Sequence, residues 1–377
     1  YGYGISGNQA VAAYSAFSTY SAVIGSDNST AYTLNPGNSS LRWEKTAQHN
    51  IGLDASFWND RLTISADYYI KNTRNAINEV ILPDDMGMSS GLRNAAAIRN
   101  KGVEITVGAI PVNTQNFYWK ADLTLAHNNA VITELGDIES DYMELGTGWG
   151  NAFFRFYEGQ PIGTIYGLKS LGVWSTEAYN DPSVAKPTSP KVRPGSYRYE
   201  EVEADGLINA DDYQVIGNGQ PKFNWGFNNT LNWKNFDLSV FFIGYHGFDI
   251  YNYPEARLTS QLAPTPALAD RWIAGVNEDA RIAGFGTDRD AITSYDNVAS
   301  STFVEKGGFV KLKNVTLGYT FKKVNLRLYV SAKNVFTITS YSGNDPELAV
   351  SNPLRPGLDT GTYPSKREFI FGINLTL

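Results

Sequence analysis

Nine stretches of the chain alternate apolar and polar residues, the pattern of a β-strand with one apolar and one polar face. In the stretch from Gln48 to Phe57, the odd positions after His49 are apolar and the even positions are polar or glycine. The next stretch starts after a link of only Trp58 to Asp60, so the two predict an antiparallel hairpin. The nine predicted strands are 48–57, 62–71, 103–109, 117–125, 223–233, 236–242, 315–321, 326–332 and 368–377.

Short and long links alternate between these strands. The segments between hairpins are the long ones, namely Asn72 to Arg99, Asn129 to Lys222, Gly247 to Phe309 and Thr337 to Arg367. Outer-membrane β-barrels have short periplasmic turns and long extracellular loops. On this assignment the last strand runs down to a periplasmic C-terminus. Tyr1 to Ser6 then fits the top of a tenth strand whose lower part is missing, so we expect a fragment or a processed product.

Alternation alone fits a soluble antiparallel sandwich equally well, because its strands also bury one face. Two further observations favour a membrane barrel. The apolar faces of the nine strands contain no Asp, Glu, Lys or Arg, and the charged residues of the strands lie on the polar faces. Aromatic residues gather beside the short turns, as in an interfacial girdle; they are Phe57, Trp58, Phe117, Tyr118, Trp119, Trp233, Phe236, Tyr319 and Phe321.

Composition supports one β architecture rather than several domains, because the strands recur evenly along all 377 residues. Charged residues make up 18% and aromatic residues 13% of the chain, which suits a membrane barrel. No apolar run approaches the ~18 residues of a transmembrane helix, so any crossing must be made by strands. The net charge of −7 comes without a basic run, which argues against a nucleic-acid partner. The absence of cysteine excludes disulfides, thiolate metal sites and a cysteine nucleophile.

A series of ordered stretches resembles the C-terminal part of the SusC/RagA-like family of TonB-dependent outer-membrane transporters of Bacteroidota. Each stretch is weak alone, but their order holds over nearly the whole chain. They are YGYGISGNQAV from Tyr1, NPGNSSLRWEKTAQHNIGLD from Asn35, RLTISADYYIKNT from Arg61, NKGVEI from Asn100, EGQPIGTIYGLKSLGVW from Glu158, ADGLINADDYQVIGNGQPKFNWGFNN from Ala204, FVKLKNVTLGYTF from Phe309, LRLYVSAKNVFTITSYSGNDPE from Leu326 and YPSKREFIFGINLTL from Tyr363.

The resemblance implies an all-β fold, an antiparallel transmembrane β-barrel of 22 strands with long extracellular loops, of which this chain supplies about ten. Residues 1–377 would be the C-terminal barrel part, with the plug domain and the early strands absent from this chain. The implied function is TonB-dependent import of oligosaccharides or peptides across the outer membrane of a Gram-negative bacterium. The implied partners are a SusD-like surface lipoprotein lid, the remaining plug and barrel segment, the TonB–ExbB–ExbD complex and outer-membrane lipid. The alternative is a structural or adhesive barrel without transport.

An acidic loop of a kind that this family often carries, EVEADGLINADD, spans Glu201 to Asp212. An EF-hand-like Ca²⁺ loop has oxygen ligands at positions 1, 3, 5, 7, 9 and 12, and glycine at position 6. With Gly206 at the turn, the ligands would be Glu201, Glu203, Asp205, the Leu207 carbonyl, Asn209 and Asp212. The first two are Glu where the motif has Asp or Asn. A loop held by its own Asx-type hydrogen bonds is the alternative, and no cofactor is required.

Three histidines raise the question of an enzyme. Strand parity places His49, His127 and His246 on the outward face near the outer strand ends, where interfacial packing is expected rather than catalysis. The sequence contains no GxSxG elbow and no HExxH pair. We therefore predict a protein that is not an enzyme.

Two further groups of residues are candidates for substrate contact. The aromatic-rich stretches Phe153 to Gly159 and Asp141 to Asn151 could offer platforms to sugars or peptides, or form small cores within their own loops. The polar-face residues Arg61, Asp67, Lys120, Asp122 and Arg327 could line a passage or bind a plug. The sequence leaves both alternatives open.

Overall fold

The structure is a computed structural model that describes most of the chain. The described residues are 1–9, 11, 13–24, 30–35, 37–81, 90–136, 142–145, 154–189, 191–259, 269–284, 299–348 and 354–376. Part of each aromatic-rich stretch, at 141, 146–151 and 153, lies outside them, as does residue 377.

The described elements are mostly strands. In chain order, the first ten are β1 (Gly2–Asn8), β2 (Thr19–Ile24), β3 (Thr30–Asn35), β4 (Glu44–Phe57), β5 (Leu62–Ile81), β6 (Ser90–Asn113), β7 (Phe117–Glu134), β8 (Tyr142–Leu145), β9 (Phe154–Tyr157) and β10 (Thr164–Gly167). The others are β11 (Ser170–Val173), β12 (Tyr197–Tyr199), β13 (Gln214–Asn218), β14 (Phe223–Trp233), β15 (Phe236–His246), β16 (Asp249–Asn252), β17 (Val304–Lys306), β18 (Phe309–Phe321), β19 (Leu326–Thr339), β20 (Leu358–Asp359) and β21 (Glu368–Leu375). Two short α-helices, α1 (Thr176–Asn180) and α2 (Tyr253–Leu258), and the 3₁₀ turns Ala210–Asp212 and Ser301–Phe303 lie between strands.

Ten strands form one antiparallel sheet in the order β1-β4-β5-β6-β7-β14-β15-β18-β19-β21. Each wall strand pairs with the next wall strand along the chain, so the sheet is a meander interrupted by excursions. Within the described residues, β1 and β21 each have a partner on one side only. The predicted all-β fold is confirmed, with the nine predicted strands and a further strand, β1, at one edge of the sheet. We call this sheet the wall.

The register of the wall aligns the apolar positions of the predicted strands on one face. Leu53 pairs with Ala66, which pairs with Ile105, which pairs with Leu125, and the row continues to Trp225. Many side chains of this face have no protein neighbour over them, and Phe371 is 82% exposed. A face this apolar and this uncovered in the protein requires an apolar environment or a partner.

The strands β5 and β6 extend well beyond their predicted ends. The segment Asn72 to Arg99 was predicted as a long link, but β5 continues to Ile81 and β6 begins at Ser90. The prediction of this boundary is wrong because it relied on one apolar face. The continuing ladder is held by backbone pairing through bulges near Thr73 and Ala76, where no regular apolar face is present.

The short turns all lie at one end of the wall, as predicted. Between β4 and β5, Trp58, Asn59 and Asp60 have φ of 54°, 55° and 63°, a left-handed run that reverses the chain within three residues. Between β14 and β15, Trp233 pairs directly with Phe236 across a two-residue turn. Turns this tight fix the register of each hairpin.

The long excursions fold into a structure of their own at the other end of the wall. The strands β13-β10-β9-β8 form one small sheet, and β17-β16-β20 form another. Their shared core contains large side chains that are almost completely buried, including Phe154, Phe156, Ile165, Leu168 and Tyr251. We call this part the loop domain.

Among the described residues, no helix is long and apolar enough to cross a membrane.

Candidate functional site

The inner face of the wall carries a bidentate ion pair that spans three strands. Arg327 on β19 donates from Nε and Nη2 to the carboxylate of Asp237 on β15, at 2.9 and 2.5 Å. The pair crosses over β18 at Gly318, where a Cβ would collide with both partners. The Arg327 guanidinium also lies 4.8 Å from the ring centroid of Tyr329. The glycine on β18 therefore leaves room for an ion pair between β15 and β19.

The other predicted inner-face residues hold the wall itself. The guanidinium of Arg61 donates to the carbonyls of Ile110 and Pro111, at 3.2 and 2.9 Å, and so satisfies the bulge before the β6–β7 turn. Asp67 accepts a hydrogen bond from the Asn50 amide at 3.1 Å. The structure thus gives both residues an internal role that the sequence did not indicate.

The remaining inner-face pair consists of neighbours on a single strand. Lys120 and Asp122 of β7 form an ion pair at 2.9 Å, and both side chains are partly exposed on the polar face. Arg61, Asp67, Lys120, Asp122 and Arg327 are thus spread over three strands of the wall, with Arg61 just before β5, rather than gathered in one pocket.

A buried ion cluster joins the wall to the loop that precedes β21. The Lys311 side chain on β18 is 1% exposed, and its Nζ lies 2.8 Å from Asp345 Oδ1 and 2.7 Å from Glu347 Oε2. Lys313 also pairs with Glu347, and the Ser365 backbone N–H donates to Asp345 at 3.0 Å. Two strand lysines and two loop carboxylates therefore fasten this loop to the outer end of β18. We call these four residues the loop latch.

The charge of Asp345 makes the loop latch sensitive to acid. Burial acts to raise the pKa of this carboxyl, but hydrogen bonds from Lys311 and Ser365 outweigh it and hold the pKa below its usual value of 3.8. A carboxyl with a depressed folded-state pKa stabilises the fold above its unfolded pKa, and this stabilisation is lost as the pH falls through the folded pKa. We expect pepsin to begin cutting within 340–348 only below about pH 4. In Asp345→Asn the same cleavage should occur without this pH step; an unchanged step would contradict the assignment.

The described part of the aromatic stretch after residue 153 forms the centre of the loop domain. Phe154 and Phe156 are 0% and 2% exposed. The Arg155 guanidinium between them lies 4.6 Å from the ring centroid of Tyr142 and 4.8 Å from that of Tyr213. The described residues of this stretch therefore pack the loop core.

The three histidines pack against aromatic rings or a backbone carbonyl at the outer end of the wall. The Nδ1 of His49 and the hydroxyl of Tyr1 share a hydrogen bond of 2.9 Å. The Nε2 of His246 accepts a hydrogen bond from the Trp225 indole at 3.0 Å. His127 Nδ1 contacts the Lys222 carbonyl. Within the described part of the chain, none of these rings hydrogen-bonds to a serine or a carboxylate, so the structure shows no nucleophile–base pair around them.

The acidic loop is held by its own backbone amides. Asp212 is 1% exposed, and its carboxylate accepts from the N–H groups of Val202, Glu203 and Asn209 at 2.8, 3.3 and 3.0 Å. Asp205 accepts from Leu207 N–H at 2.7 Å. The bond between Asp205 and Leu207 is of the Asx type of the alternative given above, and Asp212 adds bonds to more distant amides of the same loop.

The carboxylates of the loop are engaged by backbone amides in the structure. The described residues contain no group of three or more Asp, Glu or His side chains that could hold a metal ion, and the Glu201 carboxylate accepts from Gly206 N–H at 2.5 Å. The Ca²⁺ site of Glu201, Glu203, Asp205, Leu207, Asn209 and Asp212 stays a prediction.

Removing the Asp212 carboxylate should loosen this loop. In Asp212→Ala three amides lose a buried charged acceptor, which costs about 2 kcal/mol locally. Hydrogen exchange of the amides of 202, 203 and 209 should quicken roughly 30-fold. Asp211→Ala is the control, because Asp211 is adjacent but exposed. Equal exchange in both variants would contradict this role. Slower exchange on addition of Ca²⁺, lost in Asp205→Ala, would establish the cation site.

These features form a wall that has an apolar outer face and a polar inner face, with a folded loop domain over one end. Such an arrangement can separate a polar passage from an apolar surround, and it can present a folded surface to a partner above. The loop latch was not predicted, because its lysines lie beside a bulge that interrupts strand parity.

Comparison with known proteins gives consistent matches. Residues 1–335 match the family described as TonB dependent receptor-like, beta-barrel. TonB-dependent receptor P3 of Formosa agariphila is 31% identical over 396 residues, which cover 99% of this chain and 38% of that receptor. TonB-dependent receptor SusC of Bacteroides thetaiotaomicron is 24% identical over 351 residues, which cover 90% of this chain and 32% of that receptor. The chain thus spans at most about two fifths of the length of these curated relatives.

Solved structures share the fold. A chain of the RagAB peptide transporter superimposes with a TM-score of 0.76 at 22% identity, covering 99% of this chain and 40% of that chain. The RagAB peptide importer in its 'open-open' state gives a TM-score of 0.73 at 20% identity, covering 100% of this chain and 39% of that chain.

Proposed function

Because the chain belongs to the family of TonB-dependent receptor-like β-barrels, we propose that it forms part of the wall of a nutrient importer in the outer membrane. The observation that carries this proposal is the two-faced wall of ten strands. Its outer face is apolar and exposed, and its inner face carries paired charges such as Asp237 with Arg327. A lipid-facing surface and a hydrated lumen require these two faces.

The wall would be one arc of a larger barrel. Strands β1 and β21 each have an open edge within the described residues, and an open edge in lipid would leave backbone groups without hydrogen-bond partners. Further strands of the same transporter would close the barrel, and a plug domain would fill the lumen. The short turns would face the periplasm, together with the C-terminus.

Import would follow from binding above the wall and displacement of the plug. The loop domain, with its own buried core, would support a SusD-like lipoprotein lid, and the TonB–ExbB–ExbD complex would act on the plug from the periplasmic side. Oligosaccharides or peptides are the proposed substrates. The residues described here would supply wall, loops and lid contacts, and no covalent step is assigned to them.

Uptake by cells tests this function. A deletion strain complemented with the complete receptor should accumulate one class of labelled substrate from a panel of oligosaccharides and peptides. This accumulation should stop when the proton gradient is collapsed, because TonB draws on inner-membrane energy. Equal growth and uptake with and without the receptor on every substrate would overturn the proposal.

A further inference from the structure

The outer end of β4 and the parts of β5 and β6 that lie beside it carry a basic patch on the outward face. Its members are exposed, and they are Lys45, Arg74, Arg99 and Lys101. Each lies an even number of residues from the exposed apolar positions of its own strand, so all four point away from the polar inner face. Lys45 lies directly opposite Arg74 in the ladder between β4 and β5. We call these four residues the outer basic patch.

The outer basic patch lacks counter-charges of its own. No ion pair or hydrogen bond to any of the four side chains occurs within the described part of the chain. Glu134 is exposed on the neighbouring strand β7, opposite Ala97, and it does not pair with them. Like charges directly opposite each other, such as Lys45 and Arg74, destabilise a sheet. An anion placed between them would relieve this repulsion.

The patch begins at the upper edge of the apolar band, where Lys101 pairs with Ile70, and Arg74 lies highest in it. Along β5, the outward positions run from Leu62 through Tyr68 and Ile70 to Asn72 and Arg74. Strands rise about 3.3 Å per residue and tilt by about 40°, so Ile70 lies about 20 Å and Arg74 about 30 Å above Leu62. The apolar band of such barrels is about 25 Å tall. Arg74 therefore lies at the height of the lipid headgroups of the outer leaflet.

The cations are confined to one part of the wall. At the outer ends of β18 and β19, the outward positions are apolar, and Phe336 and Ile338 are 39% and 66% exposed. The charge on β4 to β6 is therefore a local feature rather than a general property of the outer rim.

We infer that the outer basic patch binds the phosphate of an anionic glycolipid headgroup in the outer leaflet. Arginine forks and lysine ammonium groups are the usual protein partners of phosphate, and a cluster of them beside a membrane attracts anionic lipid. The aliphatic parts of the four side chains continue the apolar face, while their charged ends reach the headgroup layer. This inference rests on the proposed outer-membrane location.

Binding of lipid A to the purified complete receptor tests the inference. The probes are phosphorylated lipid A, the same lipid without phosphate, and inorganic phosphate. The variant Lys45→Gln/Arg74→Gln should weaken binding of phosphorylated lipid A about 30-fold, at roughly fivefold for each cation. The control Lys322→Gln/Lys323→Gln removes the same charge from the short turn at the opposite end of the wall, and its affinity should stay within about twofold. Heat-modified gel mobility checks that both variants fold.

The arms separate the alternatives. Weak binding of dephosphorylated lipid, and no displacement by inorganic phosphate at the lipid's concentration, would support a lipid headgroup site. Equal affinity of the two variants would overturn the inference, and so would a change in protomer number in Lys45→Gln/Arg74→Gln, which would indicate a protein contact. A receptor that fails to fractionate with the outer membrane refutes the proposed function instead. If the receptor imports normally but the patch variant and the control bind lipid A with equal affinity, only this inference is refuted.

Discussion

Replacing Lys311 with alanine is expected to release the loop before β21 from the wall. Lys311 is the buried centre of the loop latch, with Asp345 and Glu347 within 2.8 Å of its Nζ. Removing one partner of a buried ion pair leaves uncompensated charge and lowers stability by about 3–5 kcal/mol. Limited proteolysis of the complete receptor should therefore cut rapidly within 340–348.

The neighbouring strand offers a matched control. Lys333 on β19 pairs with Glu368 at 3.2 Å, but both side chains are about half exposed, at 49% and 51%. Exposed pairs contribute only about 0–1 kcal/mol, so Lys333→Ala should leave proteolysis almost unchanged. Equal cleavage of the two variants would show that the loop latch does not hold this loop.

An arginine in the middle of the apolar face should impair membrane insertion. Leu123 on β7 points outward between Val107 and Phe227. A charged side chain at the midplane of a barrel's lipid face costs about 2–4 kcal/mol. In Leu123→Arg the folded fraction in the outer membrane should fall, and unfolding from bilayers should occur at lower urea concentration.

The adjacent residue provides the comparison for the other face. Thr124 points inward, beside Thr106 and Gly226. Arginine at this position would meet the polar lumen, so Thr124→Arg should retain nearly the wild-type folded fraction. If the two variants lost stability equally, the assignment of outer and inner faces would be wrong.

The wall could be predicted from sequence because its strands and turns are set by residues close together in the chain. An apolar outer face and a polar inner face force alternation along each strand, and tight turns such as the one after Trp233 fix the partner. The predicted family is confirmed by the match over residues 1–335 and by the relatives named above. The alternation of the strands therefore predicted the fold, and the ordered sequence stretches predicted the family.

The loop domain could not be predicted, because its contacts join residues that lie far apart in the chain. Phe154 pairs with Ile165, and the same core includes Tyr251 and Phe303. No period in the sequence marks these positions. The aromatic stretch around Phe154 was visible, but its burial depends on strands contributed by three separate excursions.

The prediction of the outer parts of β5 and β6 was wrong for a related reason. Beyond the membrane both faces of a strand can be polar, so the alternation that marks a strand disappears while backbone pairing continues. Extending the parity of β4 and β5 by two positions beyond the apolar band would have placed Lys45 and Arg74 together on the outward face. The signal for the outer basic patch was therefore present in the sequence.

Environment-sensitive labelling along β7 tests the two-faced wall most directly. This chain contains no cysteine, so single cysteines introduced into it one at a time have no other thiol of the chain to compete for the label. Each would carry a nitroxide in the membrane-embedded receptor, with accessibility to oxygen and to a water-soluble nickel complex measured by electron paramagnetic resonance. The positions are Lys120, Ala121, Asp122, Leu123, Thr124 and Leu125.

We expect accessibility to alternate with a period of two residues. Labels at Ala121, Leu123 and Leu125 should be accessible to oxygen, which concentrates in lipid. Labels at Lys120, Asp122 and Thr124 should be accessible to the nickel complex. Nickel accessibility equal at all six positions, or oxygen accessibility with no alternation, would contradict a membrane wall with a lipid face and a lumen face.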